Sequence, residues 1–223
     1  MNKPEVIKSI YSEVGERVKI VAVSKTKPNE DILEVYNTGH KLFGENKVQD
    51  LVAKYEALPK DIEWHFIGHL QTNKVKYIAP FVQLIHAVDS LKLLNVIDKE
   101  AKKNHRIISC LLQMKIAEEK TKFGFSKDDV KALLESDVYK NMENIHITGL
   151  MGMATNTDDE RQVKYEFSQL NQFFIEIRDL YFADKDYFSE LSMGMSHDYM
   201  LAVEAGSTMV RIGSKIFGER VYN

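Results

Sequence analysis

Apolar residues fall in short runs along the chain, with longer amphipathic stretches between them. The runs are Val18 to Val23, Lys41 to Gly44, Trp64 to Gly68, Phe81 to Val88, Arg106 to Met114, Ile145 to Met151, Ser189 to Met195 and Thr208 to Phe217. Several are continuous rather than alternating, which is the pattern of strands buried on both faces. The stretches between them carry helix signals. Asn29, behind Pro28, is placed to cap a helix through Tyr36, with acids in its first turn. Ser90 opens a second helix, and Ser126 opens a third that runs to about Lys140. Thr157-Asp158-Asp159-Glu160 opens the longest, in which Phe167, Leu170, Phe174, Ile177 and Leu180 recur at three- and four-residue spacing. Ser196-His197-Asp198 opens the last internal helix, and Gly206 can end it.

Strands alternating with helices make βαβ units and a parallel sheet. Eight such units in 223 residues, after a leading helix near residues 4–14, predict an α/β protein with one closed (β/α)8 TIM barrel. The alternative is an open doubly wound sheet. It is disfavoured because no G-x-G-x-x-G loop follows the first strand. No linker or composition break divides the chain, so residues 1–223 are expected to form a single domain.

Composition narrows the function classes. Hydrophobic residues make up 44% and charged residues 28%, which excludes a disordered chain. Thirty Lys and Arg stand against 33 Asp and Glu. That balance argues against nucleic-acid and membrane-surface partners but leaves room for a local basic pocket that takes a small anion. The N-terminus has no apolar signal-peptide core, and no apolar run approaches the roughly 18 residues of a membrane span. A soluble, cytoplasmic protein is expected. The single cysteine, Cys110, sits in an apolar run and reads as a small buried hydrophobe rather than a nucleophile.

Barrel enzymes and binders keep their chemistry at the C-terminal ends of the strands. Ser24-Lys25-Thr26-Lys27-Pro28 follows the first run. A lysine in an apolar wall loses hydration and becomes available as a neutral amine for a Schiff base. On its own, Lys25 equally suits a residue that solvates the rim. The last two strands tip the balance. Ser196 begins a helix after the seventh, and Gly213-Ser214 follows the eighth, where barrels often bind phosphate. Ser196 as an ordinary cap and Gly213 as a packing glycine are the bland readings. Together with Lys25, these residues describe a phosphorylated carbonyl compound held at both ends. Arg211 lies on the eighth strand itself and needs a partner there. It pairs either with an acid or, because it only donates, with the lone pair of a pyridine nitrogen. Asn46 follows Gly44-Glu45 and either meets the ligand or braces the loop, while Glu45 can pair with a nearby base. His65 and His69 have helical rather than strand spacing and no third ligand, so no metal site is expected. Met151, Met153, Met193 and Met195 read as barrel filling.

Four segments, in order, carry a resemblance. They are Val21 to Pro28, Gly44-Glu45-Asn46-Lys47-Val48-Gln49-Asp50, Trp64 to Lys74, and Leu191 to Glu219 with its Ser-Met-Gly-Met-Ser and Arg-Ile-Gly-Ser-x-Ile-Phe-Gly. Together they resemble the YggS/PROSC family of pyridoxal phosphate homeostasis proteins over nearly the whole chain. The resemblance implies a barrel like the N-terminal domain of alanine racemase, with pyridoxal 5′-phosphate (PLP) on Lys25 as a Schiff base. It implies that Ser196, Gly213 and Ser214 hold the phosphate, that Arg211 meets the pyridine nitrogen and that Asn46 lies near the ring. It implies a monomer that carries or buffers PLP, with PLP-dependent apo-enzymes as recipients and no catalytic residue assigned. Three positions depart from or extend the pattern. Ser214 stands where Thr is frequent, His69 where Pro is common, and Lys115 where Asn is expected, although Glu119, Lys122, Gly124 and Phe125 keep an E-x-x-K-x-G-F pattern.

The alternatives are an amino-acid racemase-like PLP enzyme and a Schiff-base aldolase. A two-base racemase needs an acid/base on each face of the ring. Tyr199 is the weak candidate opposite Lys25. Only six residues follow Phe217, so no further β-domain is expected there.

Overall fold

The computed structural model describes residues 2–117 and 123–219. Eight parallel strands pair in sequence order and close, β8 on β1. They are β1 (Lys19–Val23), β2 (Leu42–Glu45), β3 (Glu63–Phe66), β4 (Leu84–Val88), β5 (Ile108–Gln113), β6 (Ile145–Met151), β7 (Glu190–Ser192) and β8 (Met209–Ile212). The (β/α)8 barrel is therefore the observed fold.

The strands are shorter than the apolar runs, and the differences have local causes. The run through Phe217 ends as a strand at Ile212, and Ser214–Phe217 turns into a short helix. Ile216 and Phe217 are apolar because that helix buries them, not because the strand continues. Phe81 to Gln83 belong to the approach to β4 rather than to the strand.

The outer layer comprises α1 (Lys3–Val14), α2 (Asn29–Tyr36), α3 (Val48–Ala57), α4 (Val75–Ile78), α5 (Leu91–Lys103), α6 (Lys127–Glu135), α7 (Asp137–Lys140), α8 (Glu160–Tyr181), α9 (Tyr199–Glu204) and α10 (Ser214–Phe217). Asn2 and Glu5 form a capping box on α1, and Ser126 and Asp129 form another on α6. Ser90 caps α5 and Asp159 caps α8. Two sequence expectations shift by a residue or more. Asn29 is the first residue inside α2 and Pro28 occupies the cap, with no side-chain bond to the helix. The stretch expected as one helix from Ser126 is broken at Ser136, which ends α6 and caps α7.

Two apolar clusters result. The larger lies between the strands and the helices, and α8 contributes Phe167, Leu170, Phe173, Phe174 and Ile177 to it. Leu180, expected on that face, is exposed. The smaller cluster comprises Val21, Leu84, Ala87, Leu111, Met151 and Met209. Strand alternation turns these side chains into the barrel. Met151 thus fills the barrel as expected, whereas Met193 packs in the outer cluster. Cys110 is fully buried, and burial pushes its thiol pKa up, as a structural cysteine requires. No helix among the described residues is long and apolar enough to cross a membrane.

Candidate functional site

The C-terminal ends of the strands surround a cavity of about 370 Å³, within the usual range for small-molecule sites, roughly 300–1,000 Å³. Its wall includes Lys25, Asn46, Ser196, Arg211, Gly213 and Ser214. These six come from the ends of β1, β2, β7 and β8, so the fold gathers residues up to 189 positions apart (Lys25 to Ser214).

Lys25 lies just beyond β1 rather than on it. The backbone N–H of Lys27 donates to Ser24 O at 3.0 Å, and this closes a tight turn with Lys25 and Thr26 at its centre. Thr26 has φ 66°, the left-handed region that a β-branched residue seldom adopts. The turn is fastened from below. Ser24 N–H donates to Gly44 O at 3.0 Å, and Ser24 Oγ donates to Glu45 Oε1 at 2.7 Å. Lys54 Nζ, from α3, donates to Glu45 Oε1 at 2.6 Å and to Ser24 O at 2.9 Å. Glu45 is fully buried. Burial raises its carboxyl pKa while Lys54 and Ser24 pull it down. The expected partner of Glu45 is thus Lys54, and the pair positions the backbone that carries Lys25. The second lysine of the wall, Lys27, donates to Phe217 O at 2.8 Å and Glu219 O at 3.0 Å, tying the end of the described chain to the β1 turn.

Ser196 does not cap α9, because Asp198 holds that position. Instead, Ser196 Oγ accepts from Gly213 N–H at 3.1 Å, which joins the ends of β7 and β8. Among the described residues its own hydroxyl hydrogen meets no acceptor, and the side chain walls the cavity. A Cβ on Gly213 would lie 3.3 Å from Val23 O and 3.4 Å from Val23 Cβ. The glycine therefore serves the close fit of β8 against β1 and also walls the cavity. Ser214 is exposed at the rim and begins α10.

Arg211 is buried and forms no ion pair among the described residues. Nη1 donates to Ser192 O at 2.9 Å and Ser192 Oγ at 2.6 Å, and Nη2 donates to Gly152 O at 3.0 Å. Burial pulls the guanidinium pKa down to about 10, with Asp198 opposing from a distance. It stays charged at neutral pH. Among the described residues, three of its five N–H groups are engaged, leaving Nε–H and one Nη2–H on a side chain that walls the cavity.

Sequence reasoning missed several wall residues. Ile67, Met153 and Met195 supply apolar surface, and His197 stands at the rim. Met195 is therefore cavity lining rather than barrel filling, whereas Met153 lines the cavity and also packs against the interior cluster. Gly68 also escaped notice. A Cβ there would lie 2.4 Å from Asn46 O, so only glycine lets the β3 loop pass behind Asn46. His65 and His69 diverge: His65 is buried, whereas exposed His69 meets Asp89 and stacks on Phe123. Among the described residues, no three metal-ligating side chains converge. Tyr199 does not line the cavity. Its hydroxyl bonds Glu13 and Lys215, which also bond each other. Lys115 is exposed and outside the wall, and Glu119 and Lys122 lie outside the described residues.

Residues 6–221 match the family described as "Alanine racemase, N-terminal domain". A pyridoxal phosphate homeostasis protein of Aquifex aeolicus is 42% identical over 92% of this chain and 88% of its own length. PipY of Synechococcus elongatus PCC7942 is 33% identical and covers 97% of this chain and 100% of its own. It superposes with a TM-score of 0.91 in a structure without PLP and 0.88 in one with PLP bound. Alanine racemase of Clostridium difficile shares the fold at a TM-score of 0.78 and 15% identity, with this chain covering 58% of it. The chain belongs to the pyridoxal phosphate homeostasis protein family, built on the barrel of the alanine racemase N-terminal domain.

Proposed function

We propose that this protein binds pyridoxal 5′-phosphate as a Schiff base on Lys25 and carries or buffers it for PLP-dependent apo-enzymes in the cytoplasm. The observation that carries the reading is the convergence of Lys25, Asn46, Ser196, Arg211, Gly213 and Ser214 on one cavity. Their chemistry fits the cofactor at three points. An amine on a braced turn suits the aldehyde. The Ser196 and Ser214 hydroxyls and the Ser214 backbone N–H, around Gly213, suit the phosphate. The spare N–H groups of Arg211 suit an unprotonated ring nitrogen, and Asn46, in the same wall, would flank the ring. When bound, PLP supplies an aldehyde that captures amines and a ring that withdraws electrons. A donor-only Arg211 leaves that ring a weak electron sink, which suits holding the cofactor more than turning it over. Tyr199, the candidate second base of a racemase, is turned to Glu13 and Lys215. The reading takes the protein as a monomer without nucleic-acid or membrane partners.

The test is borohydride reduction of the protein with PLP, followed by peptide mass mapping. The expected adduct is on Lys25, and Lys25→Ala folds but loses it. An adduct on Lys27, or none, overturns the assignment. Chiral assay of amino acids incubated with the loaded protein separates carrier from enzyme. Racemisation that vanishes in Lys25→Ala would establish the enzyme instead.

A further inference from the structure

Four buried polar side chains cross the barrel interior in one string, and the cavity explains only the first. Arg211 Nη1 donates to Ser192 Oγ at 2.6 Å. Ser192 Oγ lies 3.0 Å from His86 Nδ1, and His86 Nε2 lies 3.0 Å from His65 Nδ1. The four belong to β8, β7, β4 and β3, so the string runs across the barrel rather than along a strand. Ser192 and His86 are 0% exposed, His65 3% and Arg211 5%. His65 also walls a second cavity, at the N-terminal ends of the strands, beside Lys19, Glu63 and Glu190.

The guanidinium gives the string a direction. Arg donates and never accepts, so Ser192 Oγ is the acceptor of the first bond. Ser192 Oγ can accept twice but has one hydrogen to give, and among the described residues His86 Nδ1 is its remaining side-chain partner. Sending that hydrogen to His86 Nδ1 leaves no buried hydroxyl unpaired, and it requires a lone pair there. His86 holds its hydrogen on Nε2 and donates it to His65 Nδ1. His65 in turn carries its hydrogen on Nε2. Burial keeps both rings neutral, with His65 down to about 3 and His86 held well below its ordinary value, the latter also by the charge of Arg211.

We propose that Ser192, His86 and His65 are positioning residues that fix the orientation of Arg211 through a one-way chain of hydrogen bonds across the barrel. Backbone bonds to Ser192 O and Gly152 O hold one hydrogen each of Nη1 and Nη2, and the chain engages the second Nη1 hydrogen, so the guanidinium is left with Nε–H and the spare Nη2–H in one orientation. The consequence for a bound cofactor rests on the PLP reading above: the ring nitrogen meets a donor whose angle is set from the far side of the barrel.

Two measurements test this independently. Ring ¹⁵N shifts of the histidines read the tautomers directly, with or without cofactor. At pH 7 both His86 and His65 should carry hydrogen on Nε2 with Nδ1 bare. A hydrogen on Nδ1 of either ring, or an imidazolium, overturns the chain whatever the cavity binds. The second compares PLP-loaded wild type, Ser192→Ala, His86→Leu and His86→Asn. In the first two variants the pH midpoint of the bound colour should rise by about half a unit or more, because the fixed positive charge near the chromophore is loosened. PLP affinity should fall about 5–10-fold. His86→Asn keeps an acceptor for Ser192 and should restore much of both. Cys110→Ala controls for core truncation and should lower stability with an unchanged spectrum. If Lys25 forms the adduct yet the spectra of Ser192→Ala and His86→Leu overlay wild type, the chain has only a packing role and the proposal fails. If wild type forms no adduct, the PLP reading fails and the tautomer result alone decides the chain.

Discussion

Mild acid should unfold this protein through histidines that the fold buries uncharged. His40 accepts from the Tyr11 hydroxyl at Nδ1, 2.8 Å away, and donates from Nε2 to Leu42 O at 2.6 Å. Burial pulls its pKa down to about 4. Burial takes His65 down to about 3 and holds His86 well below its ordinary value. In the unfolded chain all three return to about 6.5. The folded values are the depressed ones, so the unfolded state takes up protons first as pH falls. The stability is intact above pH 6.5 and drains between 6.5 and the folded values. At pH 5 His40 and His65 have each cost about 2 kcal/mol relative to neutral pH, and His86 adds to the loss in the same direction. A domain typically has about 5–15 kcal/mol in total. Glu45 acts the other way, since its carboxyl is raised, but it is one group against three. Trp64 is the single tryptophan and is buried, so its fluorescence reports unfolding. Urea titrations from pH 8 to pH 5 should show the midpoint falling steeply, with a slope near pH 5.5 of about three protons. His40→Gln should remove one proton from that slope. A stability that changes by less than about 2 kcal/mol over the interval would refute the buried neutral histidines.

The remaining predictions concern the support of the site. Glu45→Gln or Lys54→Met alone should each cost about 3–5 kcal/mol by stranding a buried partner, and the double variant should cost clearly less than their sum. Strict additivity in urea unfolding would mean that the pair does not couple. Gly68→Ala puts a Cβ 2.4 Å from Asn46 O and should cost about 1–3 kcal/mol through overpacking, while weakening PLP binding as Asn46 moves. Unchanged affinity and thermal midpoint would show that the loop yields freely. Thr26→Gly should relieve the left-handed strain, worth about 1–3 kcal/mol, less roughly 0.5–1 kcal/mol for the freer unfolded glycine. A loss of stability in thermal melts would contradict the strain.

Legibility in the sequence followed how local each signal was. Strands buried on both faces show as continuous apolar runs, so all eight were visible, and with them the barrel. Run ends misled where another burial reason took over, as at Ile216 and Phe217, which pack from α10. Helix α3 gave little warning, because Lys47 offers no side-chain cap and only Val48, Leu51 and Lys54 are buried. The six cavity residues could be read because each sits immediately after, or late in, an apolar run, which in a barrel is enough to put it at one mouth. What holds them in place could not be read that way. Lys54 looks like a solvated helix residue until the β1 turn closes over it. His86, inside Leu84-Ile85-His86-Ala87-Val88, looks like any core histidine, and its partner Ser192 lies 106 positions away. Periodicity says which face of a strand a side chain occupies, but only closure of the barrel says what stands opposite. A lone polar residue facing inward on a buried strand therefore implies a second one across the barrel, since neither can stay there unpaired without a cost of about 1–3 kcal/mol. By that rule His65, His86, Ser192 and Arg211 each demand one another, and the string follows from four separate strands obeying it.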